Sequence, residues 1–85
     1  MTKHSLTTAE LKIIEAEDED RCFLLSAGLF GTAVVAYVRI GDVGDADAIL
    51  SSAGITALSL RVPAGRPVYA WADAGTAELC TAKRT

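Results

Sequence analysis

Apolar and polar residues alternate with a period of two along much of this chain. The longest such stretch is residues 32–40, TAVVAYVRI, which lies between Gly31 and Gly41. One side of it carries Val34, Ala36, Val38 and Ile40, and the other carries Val35, Tyr37 and Arg39. A period of two, rich in β-branched and aromatic residues and bounded by glycine, predicts a β-strand. We expect its aliphatic side to form the centre of a core, with Tyr37 and Arg39 partly exposed on the other side.

Shorter strand-like stretches precede and follow this strand, and the one at residues 21–27 is nearly apolar on both faces. They predict strands at residues 21–27, 55–62, 68–73 and 76–82, with a short edge strand at 48–51. In the second of these, Leu58, Leu60 and Val62 are expected to point inward, and Ala57, Ser59 and Arg61 outward. In the third, Tyr69 and Trp71 share one face of the strand. The last strand has Ala77 and Leu79 on one side and Glu78 and Cys80 on the other, and either side can face inward.

The N-terminal quarter is less regular. Residues 1–10 are mostly polar, and we expect a flexible N-terminal arm there, followed by a single β domain at residues 11–85. From Thr7 to Ala16 the spacing fits either a helix that starts with a capping box or a strand with one exposed edge. The β pattern of the remaining chain favours the strand. The acidic run at residues 15–20 predicts a solvated turn.

Residues typical of turns connect these segments. Residues 63–67 predict a tight turn, Ala74 and Gly75 a hairpin turn, and residues 41–47 a glycine- and aspartate-rich loop. The turn at residues 28–31 contains Leu29 and Phe30, which either close the end of the fold or contact a partner. About six or seven short strands with turns between them predict an all-β protein, a small antiparallel β-sandwich or barrel.

Composition limits the size of the core and the classes of partner. The chain has 85 residues, enough for one domain, and is 51% hydrophobic but only 6% aromatic, so its core is built from small aliphatic residues. Oligomerisation commonly stabilises so small a core. A net charge of −3 argues against nucleic acid as a partner. No apolar run is long enough to span a bilayer and no signal peptide is apparent, so we expect cytoplasmic synthesis and no membrane association.

Catalytic and metal-binding patterns are missing from the sequence. The only histidine, His4, lies in the expected arm, where it cannot hold the geometry of a nucleophilic pair. The acidic stretches at 15–20 and 42–47 lack the spacing of a calcium loop. We therefore expect no enzyme, no cofactor and no metal site. Cys22 and Cys80 are expected to be small buried hydrophobic residues, although pairing of the first and last strands would permit a disulfide.

Four segments together resemble a type of small virion protein from tailed bacteriophages. They are residues 31–35 (GTAVV), the Gly/Asp loop, residues 53–58 (AGITAL) and residues 62–66 (VPAGR) before a closing hairpin, and the resemblance spans about residues 28–82. The middle loop of those proteins usually carries an aromatic residue, and residues 41–54 contain none here. The resemblance implies a decoration (cement) protein that stabilises the capsid by binding the outer surface formed by the major capsid protein. It also implies a homo-oligomer, with a trimer favoured, located on the virion.

Apolar residues at exposed positions are the candidates for such contacts. They are Leu6, Leu29, Phe30, Tyr69 and Trp71. Three alternatives remain open at this stage. The chain is a tail or head–tail structural component; or it is a small glycan-binding β module that uses Tyr37, Tyr69 and Trp71; or it is an interaction domain of a larger bacterial protein.

Overall fold

All regular structure in the described part of the chain is β. The structure, a computed structural model, describes residues 2–27, 35–51 and 57–84. Its strands are β1 (Thr2–Leu6), β2 (Leu11–Ile14), β3 (Arg21–Ala27), β4 (Val35–Ile40), β5 (Ala48–Ser51), β6 (Ala57–Val62), β7 (Val68–Ala72) and β8 (Ala77–Lys83). The all-β prediction is confirmed, with eight strands rather than six or seven. Within these segments no helix has the length and apolar character needed to cross a membrane.

The strands form two four-stranded sheets packed as a sandwich. The first sheet has the order β1-β8-β3-β6 and the second has the order β2-β7-β4-β5. Every pairing is antiparallel. Eight strands in these two orders form a jelly roll, a double-sheet sandwich of Greek-key topology. The prediction of a sandwich or barrel thus resolves to a sandwich.

The strand pairs are nested around the 41–47 loop. Strand β4 pairs with β5, β3 with β6, β2 with β7 and β1 with β8, as in one long hairpin rolled up on itself. Only β4 and β5 are both consecutive and paired. The hairpin predicted at Ala74 and Gly75 is therefore wrong, because β7 and β8 belong to different sheets. Gly75, with a φ of 64°, instead lies in the connection that carries the chain from one sheet to the other.

Alternation along the strands places the core between the two sheets. Its fully or nearly fully buried side chains are Leu6, Ile14, Leu25, Ala36, Val38, Leu50, Leu60, Val62, Val68, Ala70, Ala72, Ala77 and Leu79. The faces predicted for β6 and β7, and the aliphatic face of β4, are confirmed. In β8 the inward side chains are Ala77, Leu79 and Thr81. Apart from Ile14 and the leucines, the apolar core residues are alanine or valine, so the sheets pack around a thin aliphatic core.

The expected flexible arm is wrong for residues 2–6. They form β1, an edge strand of the first sheet that pairs with β8 from Thr2 opposite Thr81 to Leu6 opposite Ala77. The polar residues that suggested an arm, Lys3 and Ser5, point outward, while Leu6 is fully buried between the sheets. Leu6 is therefore a core residue and is not exposed to a partner.

The two cysteines lie on neighbouring strands but are free and half-buried. In the β3–β8 register Cys80 is opposite Ser26, four residues from Cys22. Four residues of β-strand span about 13 Å, whereas the Cα atoms of a disulfide lie within about 7 Å. A disulfide between them would require a different strand register.

Candidate functional site

The outer face of the second sheet collects both tyrosines and the only tryptophan. We call it the aromatic face; its outward side chains are Lys12, Val35, Tyr37, Arg39, Ile49, Ser51, Tyr69 and Trp71. Strand β4 is central in this sheet and pairs with both β5 and β7. The alternation that places Ala36 and Val38 in the core therefore places Tyr37 and Arg39 at the middle of the opposite face.

Ring and cation contacts continue across this face as a ladder. Tyr37 lies opposite Trp71 in the β4–β7 register, with ring centroids 5.8 Å apart and ring planes inclined by 27°. The Arg39 guanidinium lies 5.6 Å from the Trp71 ring centroid and 5.0 Å from that of Tyr69. The Lys12 ammonium lies 5.9 Å from the Tyr69 centroid. Aromatic stacking and cation–π contacts each contribute modestly, and a continuous series fixes the side chains relative to one another.

Arg39 is the centre of the ladder and is buried, with 7% of its surface exposed. Its Nε donates to the Gly41 carbonyl at 3.1 Å and its Nη2 to the Asp42 carbonyl at 3.0 Å. Its Nη1 contacts the Glu10 carboxylate. The partial exposure expected for Arg39 is therefore wrong, because the loop after β4 and the stacked rings enclose the guanidinium. A buried charge is tolerated when it is paired and hydrogen-bonded in this way.

The two tyrosine hydroxyls are hydrogen-bonded to carboxylates at opposite ends of the ladder. The Tyr37 hydroxyl donates to Asp73 Oδ1 at 2.8 Å, and the Tyr69 hydroxyl donates to Asp42 Oδ1 at 2.9 Å. Donation to Asp73 raises the pKa of Tyr37 above its ordinary value, and donation to Asp42 raises the pKa of Tyr69. Neither hydrogen bond neutralises the carboxylate, since a hydroxyl carries no formal charge.

Trp71 and Tyr69 each have two ring or cation neighbours within the ladder. Trp71 has the Tyr37 ring and the Arg39 guanidinium beside it. Tyr69 has Arg39 and Lys12 over its ring. These contacts hold the rings in fixed positions, which suits the face to burial against a partner.

Exposed aliphatic side chains adjoin the ladder. Ile49, opposite Tyr37 in the β4–β5 register, is 51% exposed. Val43, in the 41–47 loop between these two strands, is 84% exposed. Isolated exposed aliphatic residues are common on proteins, but here they extend an aromatic surface. The described chain leaves this surface uncovered.

The predicted contact residues have different locations. Tyr69 and Trp71 lie together on the aromatic face, half-buried. Leu29 and Phe30 lie outside the described residues. The sequence reasoning missed Arg39 and Ile49 as members of the surface. Ile49 belongs to this surface because it pairs with Tyr37 across β4 and β5. This pairing can be recognised only once the strand register is known.

The acidic run between β2 and β3 is organised by Arg21. This arginine is 2% exposed and donates to the carbonyls of Glu15 at 2.6 Å, Glu19 at 3.2 Å and Arg66 at 3.1 Å. Its Nη1 is 3.3 Å from the Glu17 carboxylate. The predicted solvated turn is confirmed, since residues 15–20 are all exposed. In the described ranges no three His, Cys, Asp or Glu side chains form a group that could hold a metal ion.

Comparison of the chain with protein-family models, with curated proteins and with solved structures gave no significant match. The aromatic face is therefore the structural feature on which a functional proposal rests.

Proposed function

We propose that this chain is a structural virion protein that decorates a bacteriophage capsid by binding its outer surface as a homo-oligomer. The sequence resemblance over about residues 28–82 motivates the proposal. The observation that carries it is the aromatic face, an uncovered, pre-organised protein surface on one side of a small sandwich. The partner is the major capsid protein, and no cofactor or catalytic step is involved.

Rigidity of the aromatic face supports a docking role. Arg39 is fixed by two backbone carbonyls and Glu10, and both tyrosine hydroxyls are fixed by carboxylates. Side chains that are already ordered lose little conformational entropy when a partner covers them. The half-buried rings of Tyr37, Tyr69 and Trp71, with the neighbouring Ile49, provide the apolar area that such a contact buries.

A glycan-binding module receives less support from the same face. Saccharides stack on open faces of aromatic rings, and Trp71 and Tyr69 each have two ring or cation neighbours that leave less ring surface for such stacking. A tail or head–tail component would use the aromatic face equally well and differs only in the partner.

Co-sedimentation with empty tailed-phage capsid shells that lack decoration proteins tests the proposal. We expect the chain to sediment with the shells and Ile49→Glu to weaken binding by about tenfold or more, because a charge would be buried in the contact. Ile49 is on an edge strand and half exposed, so the fold tolerates the change. Ala64→Glu, in the exposed turn after β6, is the matched control. A chain that ignores shells, or an Ile49→Glu variant that binds them normally, contradicts the proposal.

A further inference from the structure

The aromatic face has an exposed carboxylate at each of its two ends. Asp73 follows β7, and its amide donates to the Val35 carbonyl at 3.0 Å, where β4 begins. Asp42 lies at the opposite end of the same sheet, just after β4. Both residues are exposed. The chain from Val35 to Asp42, in extended form, spans about 20 Å, and the ladder lies between the two carboxylates.

Each of these carboxylates retains an oxygen for a donor from another molecule. Asp73 accepts from the Tyr37 hydroxyl with Oδ1 at 2.8 Å, and Asp42 accepts from the Tyr69 hydroxyl with Oδ1 at 2.9 Å. Among the described residues, neither forms an ion pair. The second oxygen of each carboxylate and the adjacent tyrosine oxygen are two neighbouring acceptors. A guanidinium, with its planar fork of N–H donors, matches such an acceptor pair.

The cations of the aromatic face are already engaged within the chain. Arg39 is 7% exposed and contacts the Glu10 carboxylate as well as two backbone carbonyls. The Lys12 ammonium is 3.7 Å from Glu15. An anionic partner, such as a nucleic acid or an acidic peptide, would therefore meet two exposed carboxylates and no available cation on this face.

The surroundings of the face do not reverse its negative charge. Asp45 and Asp47 in the 41–47 loop are exposed, whereas Arg66, whose guanidinium lies next to Gly41, is the cation near that end. Residues 28–34 and 52–56, outside the described ranges, contain no charged side chain in the sequence. The end at the 41–47 loop thus has more carboxylates than cations.

A partner that covers the ladder must also cover the two carboxylates. The hydroxyls of Tyr37 and Tyr69 are bonded to Asp73 and Asp42, so burial of these rings removes water from the carboxylates as well. Removing water from an ionised carboxylate costs free energy unless a cation or another donor pairs with it. The chemistry of the partner at each end is therefore constrained.

We infer that the surface bound by the aromatic face has an apolar centre with a cationic side chain, best an arginine, on each side of it, about 20 Å apart. The inference rests on the proposed function and names the chemistry of the capsid surface that covers this face. A second copy of the chain matches less well. Its net charge is −3, and Lys3 and Arg61 on its first sheet are paired with Glu78 and Asp20.

A linear alkane with a guanidinium at each end, long enough to span about 20 Å, is a probe that does not depend on the capsid. Fluorescence of Trp71, the only tryptophan, reports its binding. We expect this alkane to bind about tenfold more tightly than one of the same length with a single guanidinium, because two linked contacts form together.

Asp42→Asn with Asp73→Asn should abolish the advantage of the second guanidinium, because asparagine keeps an acceptor for each tyrosine hydroxyl and removes the charge. Asp18→Asn with Glu19→Gln is the matched control. It removes two charges from the exposed 15–20 run, away from the aromatic face, and should bind the probe as wild type does. Circular dichroism checks that both variants are folded.

The same variants are then mixed with capsid shells. We expect the Asn variant to bind shells about tenfold more weakly than wild type, and wild-type binding to weaken similarly at about 1 M salt, where the screening length is about 3 Å. The control variant should bind shells normally.

Equal affinity for the two alkanes, or an Asn variant that binds the probe like wild type, overturns the inference. A Trp71 signal that changes with the concentration of the chain alone identifies a second copy as the occupant and also overturns it. Shell binding that depends on Ile49 but is the same in the Asn variant overturns the inference and leaves the proposed function intact. A chain that prefers the two-guanidinium alkane and ignores shells contradicts the proposed function alone.

Discussion

Arg21 and Arg39 are charged residues within predicted strands, yet both are buried in the structure. Each has its guanidinium satisfied mainly by backbone carbonyls, Arg21 by three and Arg39 by two. In both cases a loop closes over the side chain and orders itself on the donors. The two arginines thus fix the loops at residues 15–20 and 41–47.

Arg21→Met is expected to lower the free energy of unfolding by about 3 kcal/mol, because three carbonyls lose a charged donor in a buried site. Urea denaturation measures the change. Arg61→Met is the control, since Arg61 is 77% exposed and its ion pair with Asp20 contributes about 0.5 kcal/mol or less. Equal effects of the two substitutions would contradict the role assigned to Arg21.

Gly41→Ala is expected to destabilise the fold by about 2 kcal/mol. Gly41 has a φ of 106°, a backbone angle that residues with a side chain rarely adopt, and an added Cβ would lie 3.0 Å from Arg66 Nη1. Gly44→Ala separates the two causes, because Gly44 has a similar φ of 112° with no atom within 4 Å of the added Cβ. Thermal unfolding of both variants checks the prediction, and a Gly41→Ala protein as stable as wild type would contradict it.

At the scale of single residues, the sequence pattern predicted the burial of aliphatic side chains well and the burial of arginines poorly. Alternation alone assigned Ala36, Val38, Leu60 and Val62 to the core, since burial of an aliphatic side chain depends only on which way its strand faces. Burial of Arg39 depends on Glu10, 29 residues away, and on the path of the following loop. Neither is visible in a local pattern.

Strands were predicted closely, whereas their partners were not. The bounds of β3 and β5 match the predicted strands because turn-forming residues bracket each apolar run in the sequence. The hairpin predicted at Ala74 and Gly75 failed because the same turn chemistry serves a hairpin and a connection between sheets. β1 was missed because an edge strand with one buried residue resembles a polar arm in sequence.

β1 is expected to make the fold sensitive to mild acid through His4. His4 Nε2 lies 3.2 Å from the Thr81 hydroxyl, and desolvation lowers the pKa of the imidazole below 6.5. The folded state then binds fewer protons than the unfolded state, so the stabilisation is present above pH 6.5 and is lost as the pH falls through the folded pKa. Hydrogen-exchange protection of the β1 amides, measured from about pH 7.5 to pH 5, tests this.

His4→Gln removes the titrating group and is the control for β1. Its protection of the β1 amides should not change over the same pH range. Asp20, whose pKa is lowered chiefly by the hydrogen bond from the Ala64 amide, loses its contribution only at pH values below its ordinary 3.8 and does not interfere. A wild-type β1 with constant protection would contradict the prediction.

The nested topology of the whole molecule is expected to make folding slow for its length. The β1–β8 pairing joins residues up to 79 positions apart, Thr2 with Thr81. The conformational entropy of closing such long loops is lost before the stabilising contacts form. We expect refolding in milliseconds to seconds, as for other sandwiches dominated by non-local pairing. Stopped-flow fluorescence of Trp71 measures the rate, and refolding within microseconds would contradict it.

The candidate site emerges only at the scale of the whole molecule. The sequence predicted that Tyr69 and Trp71 share one face of a strand, and in the structure they share the outward face of β7. Their combination with Tyr37, Arg39 and Ile49 depends on the order β7-β4-β5.

The antiparallel pairing of β1 with β8 has a practical consequence. Because Thr2 lies beside Thr81, the start of the first strand and the end of the last emerge at the same corner of the sandwich. A short linker between them, with new termini opened in the exposed 41–47 loop, should give a circular permutant that keeps every strand pair. Peptides displayed at either terminus of this chain would project from one point and leave both outer faces accessible.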